Sequence, residues 1–290
     1  MNPYVELMIV SVLFGASGSF IKVLQLPSTT LSFFRLAVPT IVLFVYFTYK
    51  KIPLFKKNVT WLLVASVLNA LRLFLMFVGY NLATIGNASL ASSTGTLFLF
   101  LFSFLFLKEK ITTKRLLLLF ASFAGLCILY SNKPFSFENK DFLGMSFAVL
   151  STAIYQLTII ISKKELDRYS KTEAIFYQNV VGAFVFLPFL FINKPFPAIW
   201  QFAVASTSGL LMGLVSFLLY FSAIKKVSPT AASLAMIDTV LSVLFGVILF
   251  GETLSANMII GGVLILATSF FISLELRQKK SKELAVESVS

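Results

Sequence analysis

Histidine is absent from the 290 residues, and cysteine occurs once, as Cys127 inside an apolar run. The first absence removes the commonest general base and the commonest metal ligand. The second excludes an intrachain disulfide. Charge is also scarce, at 12% of the chain, about half the share of an ordinary soluble domain. Acidic residues are the scarcer kind, 12 against 24 Lys and Arg. No phosphate-cradling Gly-rich loop, Gly-x-Ser-x-Gly elbow or His-Glu-x-x-His pair occurs. An enzyme is therefore not expected, nor is a metal or cofactor. The basic excess brings no groove motif with interleaved aromatics, so no nucleic-acid partner is expected either.

Apolar residues make up 58% of the chain, with a mean hydropathy of +0.92. They fall into ten runs: Tyr4–Leu24, Thr29–Tyr49, Thr60–Tyr80, Asn87–Leu107, Arg115–Tyr130, Phe142–Ser162, Thr172–Ile192, Trp200–Ala223, Ser228–Phe250 and Ala256–Leu274. Most approach the roughly 20 residues that cross a bilayer as a helix. The amino terminus carries Glu6 in place of a basic n-region and is expected to be a retained first span. Lys and Arg in the connections alternate in number. Eighteen lie on the side of the amino terminus and four on the other, which places both termini in the cytoplasm of a cell inner membrane. The basic tail, 275–290, is expected to be disordered there.

One stretch occurs twice. Val227–Ser255 repeats Ile85–Thr112 at an offset of about 143, which aligns Glu252 with Glu109. The same offset aligns Thr29, Phe33, Phe34 and Arg35 with Thr172, Phe176, Tyr177 and Gln178. The fold class expected is an all-α membrane protein of ten transmembrane helices in two repeats. The first covers 1–130, an external hinge 131–141, and the second 142–274. A unit of five helices is odd, so the second copy must enter from the opposite face. Inverted repeats of this kind characterise secondary transporters, with substrate near the midplane between the halves.

Ten helices in a 5+5 repeat, Phe34-Arg35-Leu36 early in the second helix, and a Lys-Glu or Gly-Glu exit after the fourth and ninth helices resemble the drug/metabolite transporter superfamily, EamA type. The resemblance covers Tyr4 to Leu274 and departs from the pattern at Gln178 and at Lys108-Glu109-Lys110. It implies that the first, third, fourth, sixth, eighth and ninth helices face the cavity and that the fifth and tenth are peripheral.

Two charges lie deep in such helices, Arg72 twelve residues into the third span and Asp238 ten into the ninth. At about 1.5 Å per residue both approach the midplane. Each costs on the order of 2.5–3.5 kcal/mol there, so a partner or a function is expected. Three readings stay open: an ion pair bridging the repeats, a role in substrate binding or proton coupling, and a water-filled vestibule. Arg35 sits farther out and is expected to act as a structural latch on backbone carbonyls. Lys22 is expected to anchor at the interface by the same snorkelling. Gly15, Ser17 and Gly18 in the first helix, and Ser93 in the fourth, permit close helix approach or a broken helix that frees groups for a ligand. Asn69, Tyr155, Gln156 and Tyr220 supply amides and rings to a site. Glu109 and Glu252 are read as structural.

The function expected is secondary transport of a small polar metabolite by alternating access, with export favoured. The preferred substrate is an amino acid or related zwitterion, its carboxylate at Arg72 and its ammonium at Asp238. An importer of a cationic nutrient, such as a quaternary amine, and a non-transporting membrane ligand sensor on the same scaffold are the alternatives. The partners expected are the small-molecule substrate and the lipid bilayer, with proton coupling possible and a monomer or weak homodimer as the assembly.

Overall fold

Asn2 opens the first helix by accepting the Tyr4 N–H on its side chain, and Pro3 takes a first-turn position that needs no N–H. The structure is a computed structural model that describes residues 2–54, 59–107, 113–131, 136–163, 169–223 and 237–287. Helix α1 (Pro3–Gly15) is followed at once by α2 (Ser17–Leu24), so the first span is interrupted within its run of small residues. The second and third spans are α3 (Ser28–Lys50) and α4 (Thr60–Leu82). The fourth is broken into α5 (Ile85–Ser92) and α6 (Gly95–Leu107), and the fifth is α7 (Thr113–Tyr130). The sixth and seventh are α8 (Lys140–Lys163) and α9 (Lys171–Ile192). The eighth runs through α10 (Ile199–Leu210), a π turn at Leu211–Val215, and α11 (Ser216–Ala223). The ninth and tenth are α12 (Ile237–Phe250) and α13 (Ala256–Glu287).

Seven of these spans are long and apolar enough to cross a membrane by themselves. Three shorter apolar helices, Leu116–Tyr130, Ile237–Phe250 and Ala256–Phe271, complete the ten. Large apolar side chains such as Phe120, Phe123, Phe184 and Val263 are exposed on the outside of the bundle, as a lipid-facing surface requires. The last helix continues to Glu287, so the tail is helical where disorder was expected. Residues 275–287 contain neither Gly nor Pro and are rich in Leu, Glu, Lys and Arg, all good helix formers.

Packing repeats the duplication in space. The first span packs on the eighth (α1 on α11) as the sixth packs on the third (α8 on α4). The first meets the ninth (α12) as the sixth meets the fourth (α6), and the second meets the eighth as the seventh meets the third. The second, fourth and fifth spans each touch their own counterparts, the seventh, ninth and tenth. Each of these contacts thus has its equivalent five spans on, which is what a two-fold relation between inverted repeats produces. The fifth and tenth spans meet backbone to backbone. A Cβ at Gly125 would stand 3.0 Å from the Gly261 carbonyl oxygen, and one at Gly261 2.7 Å from that of Gly125.

The two halves are tied together at the end opposite the amino terminus. Asn193 Nδ2 donates to Thr29 Oγ1 at 2.8 Å and Thr30 Oγ1 at 3.0 Å, and Gln201 Nε2 donates to the Leu24 carbonyl at 2.9 Å. Asp141 accepts from the Thr84 N–H and from Asn87 Nδ2. Beneath these bonds lies a core containing Leu24, Leu31, Phe34 and Phe77, all buried.

Candidate substrate cavity

A cavity of about 230 Å³ lies between the second, third, sixth, seventh and eighth spans. Its polar lining is Arg35, Asn69, Arg72, Tyr155, Thr158, Gln178, Asn179 and Tyr220. A void of about 150 Å³ already accommodates benzene, so this one has room for a metabolite of on the order of ten heavy atoms. Arg35 marks its deep end, seven residues from the start of α3. Ile175 and Tyr220, close to the start of α9 and the end of α11, mark the end nearer the amino terminus. Beyond Arg35 lies a small void of about 20 Å³, lined by Ser17, Leu24, Leu31, Phe77, Ser208 and Met212 among others.

Arg72 is fixed from two sides. Its Nε donates to Asn69 Oδ1 at 3.0 Å, and its guanidinium carbon lies 4.3 Å from the centre of the Tyr155 ring. Asn69 is itself oriented, because its Nδ2 donates to the Gln178 carbonyl at 3.0 Å and to Asn179 Oδ1 at 3.2 Å. The third span therefore presents Arg72 in one pose, set by the seventh span through Asn69 and by the sixth through Tyr155. Arg35 Nη1 donates to the Ser208 carbonyl at 3.4 Å. That is the carbonyl contact of a latch, but a long one, and the same guanidinium lines the cavity. Close by, Pro39 has no N–H to give the Arg35 carbonyl. The π turn passes here too: a Cβ at Gly213 would lie 2.6 Å from Pro39 Cγ. The widened turn lets Gly213 line the cavity next to Arg35.

Of the residues singled out in the sequence, Arg35, Asn69, Arg72, Tyr155 and Tyr220 come together here. Asp238 does not. It starts α12, where Thr239 Oγ1 donates to its Oδ1 at 3.2 Å and also meets Ser93 Oγ at 2.8 Å. Among the described residues no ion pair joins Asp238 to Arg72 or to Arg35. Gly15 lets α1 come so close to α12 that a Cβ there would stand 2.9 Å from the Asp238 carbonyl oxygen. Gly18 packs equally tightly on Tyr80 and Ile85. Gln156 points away from the cavity to the break in the fourth span, where a Cβ at Gly95 would meet its Nε2 at 2.9 Å. Ser17 Oγ lies 3.3 Å from Met212 Sδ in the small void, not in the cavity itself. Glu252 caps α5, and Glu109 lies outside the described residues.

The second and seventh spans line the cavity with Arg35, Ile175, Gln178 and Asn179; among the described residues the first, fourth and ninth spans, which the resemblance implied, are not in its lining. Gln178 and Asn179 were not among the sequence candidates. Their signal was two adjacent amides about two turns inside an apolar span.

The EamA-like transporter family model matches residues 3–131 and again 142–274. The chain belongs to the EamA-like transporter family. It is 25% identical over 256 residues to the pseudopaline exporter CntI of Pseudomonas aeruginosa strain PAO1, covering 86% of this chain and 87% of that protein. It is 28% identical over 270 residues to an S-adenosylmethionine uptake transporter of Rickettsia prowazekii, covering 89% and 87%. One solved crystal structure covers 96% of this chain and 98% of its own, with a TM-score of 0.64 and 15% identity, a likeness of fold alone. This transporter thus has relatives named for opposite directions of transport and for dissimilar substrates.

Proposed function

We propose that this transporter moves a small carboxylate-bearing metabolite, an amino acid or close relative, across the cell inner membrane by alternating access of its two halves. The observation that carries this reading is Arg72. Its guanidinium is held edge-on by Asn69 and face-on by Tyr155, and it lines a cavity that contains no carboxylate among the described residues. A planar fork oriented in this way suits a carboxylate. The ammonium of an amino acid would be met by the tyrosine rings and the amide oxygens of Gln178 and Asn179, not by Asp238. A quaternary amine fits poorly beside two guanidinium groups.

The cavity reaches toward the end that carries the amino terminus, and the opposite end is bonded shut. With both termini cytoplasmic, as the distribution of Lys and Arg favours, this arrangement is the inward-facing one. Export is the preferred direction, because substrate would load from the cytoplasm. The test is uptake of labelled amino acids into proteoliposomes, with and without a proton gradient, alongside equilibrium binding to the purified protein. Binding and flux of at least one carboxylate-bearing compound, both lost in Arg72→Met, are expected. Ligand binding without flux would make the protein a sensor. Binding of quaternary amines alone would overturn the reading.

A further inference from the structure

We infer that Arg35 is a second anion-binding group in this cavity and that the substrate carries two acidic groups, one for each guanidinium. The inference rests on the reading of the Arg72 cavity as the substrate site.

Two arginines line one cavity of about 230 Å³. Each guanidinium has five N–H donors. Among the described residues Arg72 uses one, to Asn69, and Arg35 uses one, to Ser208 over a long 3.4 Å. A charge inside a membrane protein is ordinarily compensated, and among the described residues neither guanidinium meets a carboxylate. The one central acidic residue in the apolar runs, Asp238, is committed elsewhere. Two like charges in one partly desolvated cavity repel, and a dianion that reached both would relieve both at once.

Depth gives the arrangement a direction. Arg72 sits mid-span in α4 beside Asn69 and Tyr155, while Arg35 lines the cavity from seven residues inside the start of α3, nearer the end opposite the amino terminus. The two groups thus stand one beyond the other along the cavity. One acidic group of an elongated metabolite would meet Arg72, and the second would reach the end wall. The repeat makes the charge at that wall specific to one half. The counterpart of Arg35 is Gln178, which lines the same cavity as a neutral amide.

The experiment measures binding of matched pairs to the purified full-length protein: glutarate against glutaramate, L-glutamate against L-glutamine, and O-phosphoserine against serine. The diacid of at least one pair should bind about tenfold or more tightly than its mono-acid partner, a difference resolved readily by calorimetry. The carboxylate pairs and the phosphate pair separate the two sources of the second charge. In Arg35→Gln the preference should shrink to about twofold, with the mono-acid bound nearly as before. Arg35→Lys, which keeps the charge, should keep the preference at a reduced factor and serves if Arg35→Gln does not fold. Wild-type protein that binds both members of every pair equally would overturn the inference while leaving the Arg72 reading intact. A preference undiminished in Arg35→Gln would overturn it as well. If no member of any pair binds, the substrate-site reading itself fails.

Discussion

The carboxylate of Glu252 holds the start of the fourth span: Oε1 accepts the Ile85 N–H at 2.6 Å, and Oε2 accepts the Gly86 N–H at 3.0 Å. One residue from the exit of the ninth span thus satisfies two of the four amides that a helix leaves open at its start, and it faces the positive end of the dipole. Gly251 turns the chain with φ +65, a backbone state suited to glycine. Gly246 leaves the space into which Glu252 folds back, since a Cβ there would collide with Oε2. The Gly-Glu exit is therefore a clamp between the two repeats.

Removing that clamp should cost stability before anything else. Glu252→Ala leaves two buried amides without acceptors and should destabilise the protein by about 1–2 kcal/mol, in the range of a lost helix cap. Thermal unfolding in detergent should register a drop of several degrees, with Gly246→Ala similarly affected. An Ala variant that unfolds at the wild-type temperature would count against the clamp.

Tyr155 contributes its ring to Arg72, and the ring alone should suffice. Tyr155→Phe should retain most substrate binding, whereas Tyr155→Leu should weaken it by the 0.5–2 kcal/mol typical of a cation–π contact, roughly two- to thirtyfold. Asn69→Ala should weaken it too, because Arg72 then loses the acceptor that orients it. Isothermal titration with the tightest-binding acid separates these cases. Equal losses in Phe and Leu would point to the hydroxyl instead.

Arg72 and Asp238 occupy separate sites and should behave independently. Their neutral variants, Arg72→Met and Asp238→Asn, should change stability additively to within about 0.5 kcal/mol in a double-mutant cycle. Asp238→Asn should leave binding of the carboxylate within about twofold of wild type. Recovery of stability in the double variant would reveal an ion pair.

Orientation can be read by labelling. In a Cys127→Ala background, Asn58→Cys should resist an impermeant thiol reagent on intact cells and Asn139→Cys should react. The reverse pattern would invert the bundle and with it the direction in which the cavity opens.

The sequence by itself determined the ten spans, the duplication and the odd parity that inverts it. Each of these rests on hydropathy summed over about 20 residues or on a constant offset, quantities that neighbours in space do not alter. It also placed Arg72 and Asp238 at similar depth, because rise per residue fixes height in a helix. Which way each side chain faces across the bundle was decided only by tertiary packing. Asp238 stands beside Thr239 at the close approach of the first and ninth spans, while Asn69, bonded to the seventh span, holds Arg72 in the cavity. The seventh span shows the same limit: Gln178 read as a mere departure from the repeat until folding set it in the same cavity wall as Arg35. Polar residues in apolar helices are conspicuous in sequence, but their partners lie on other helices, and crossing geometry alone selects among them.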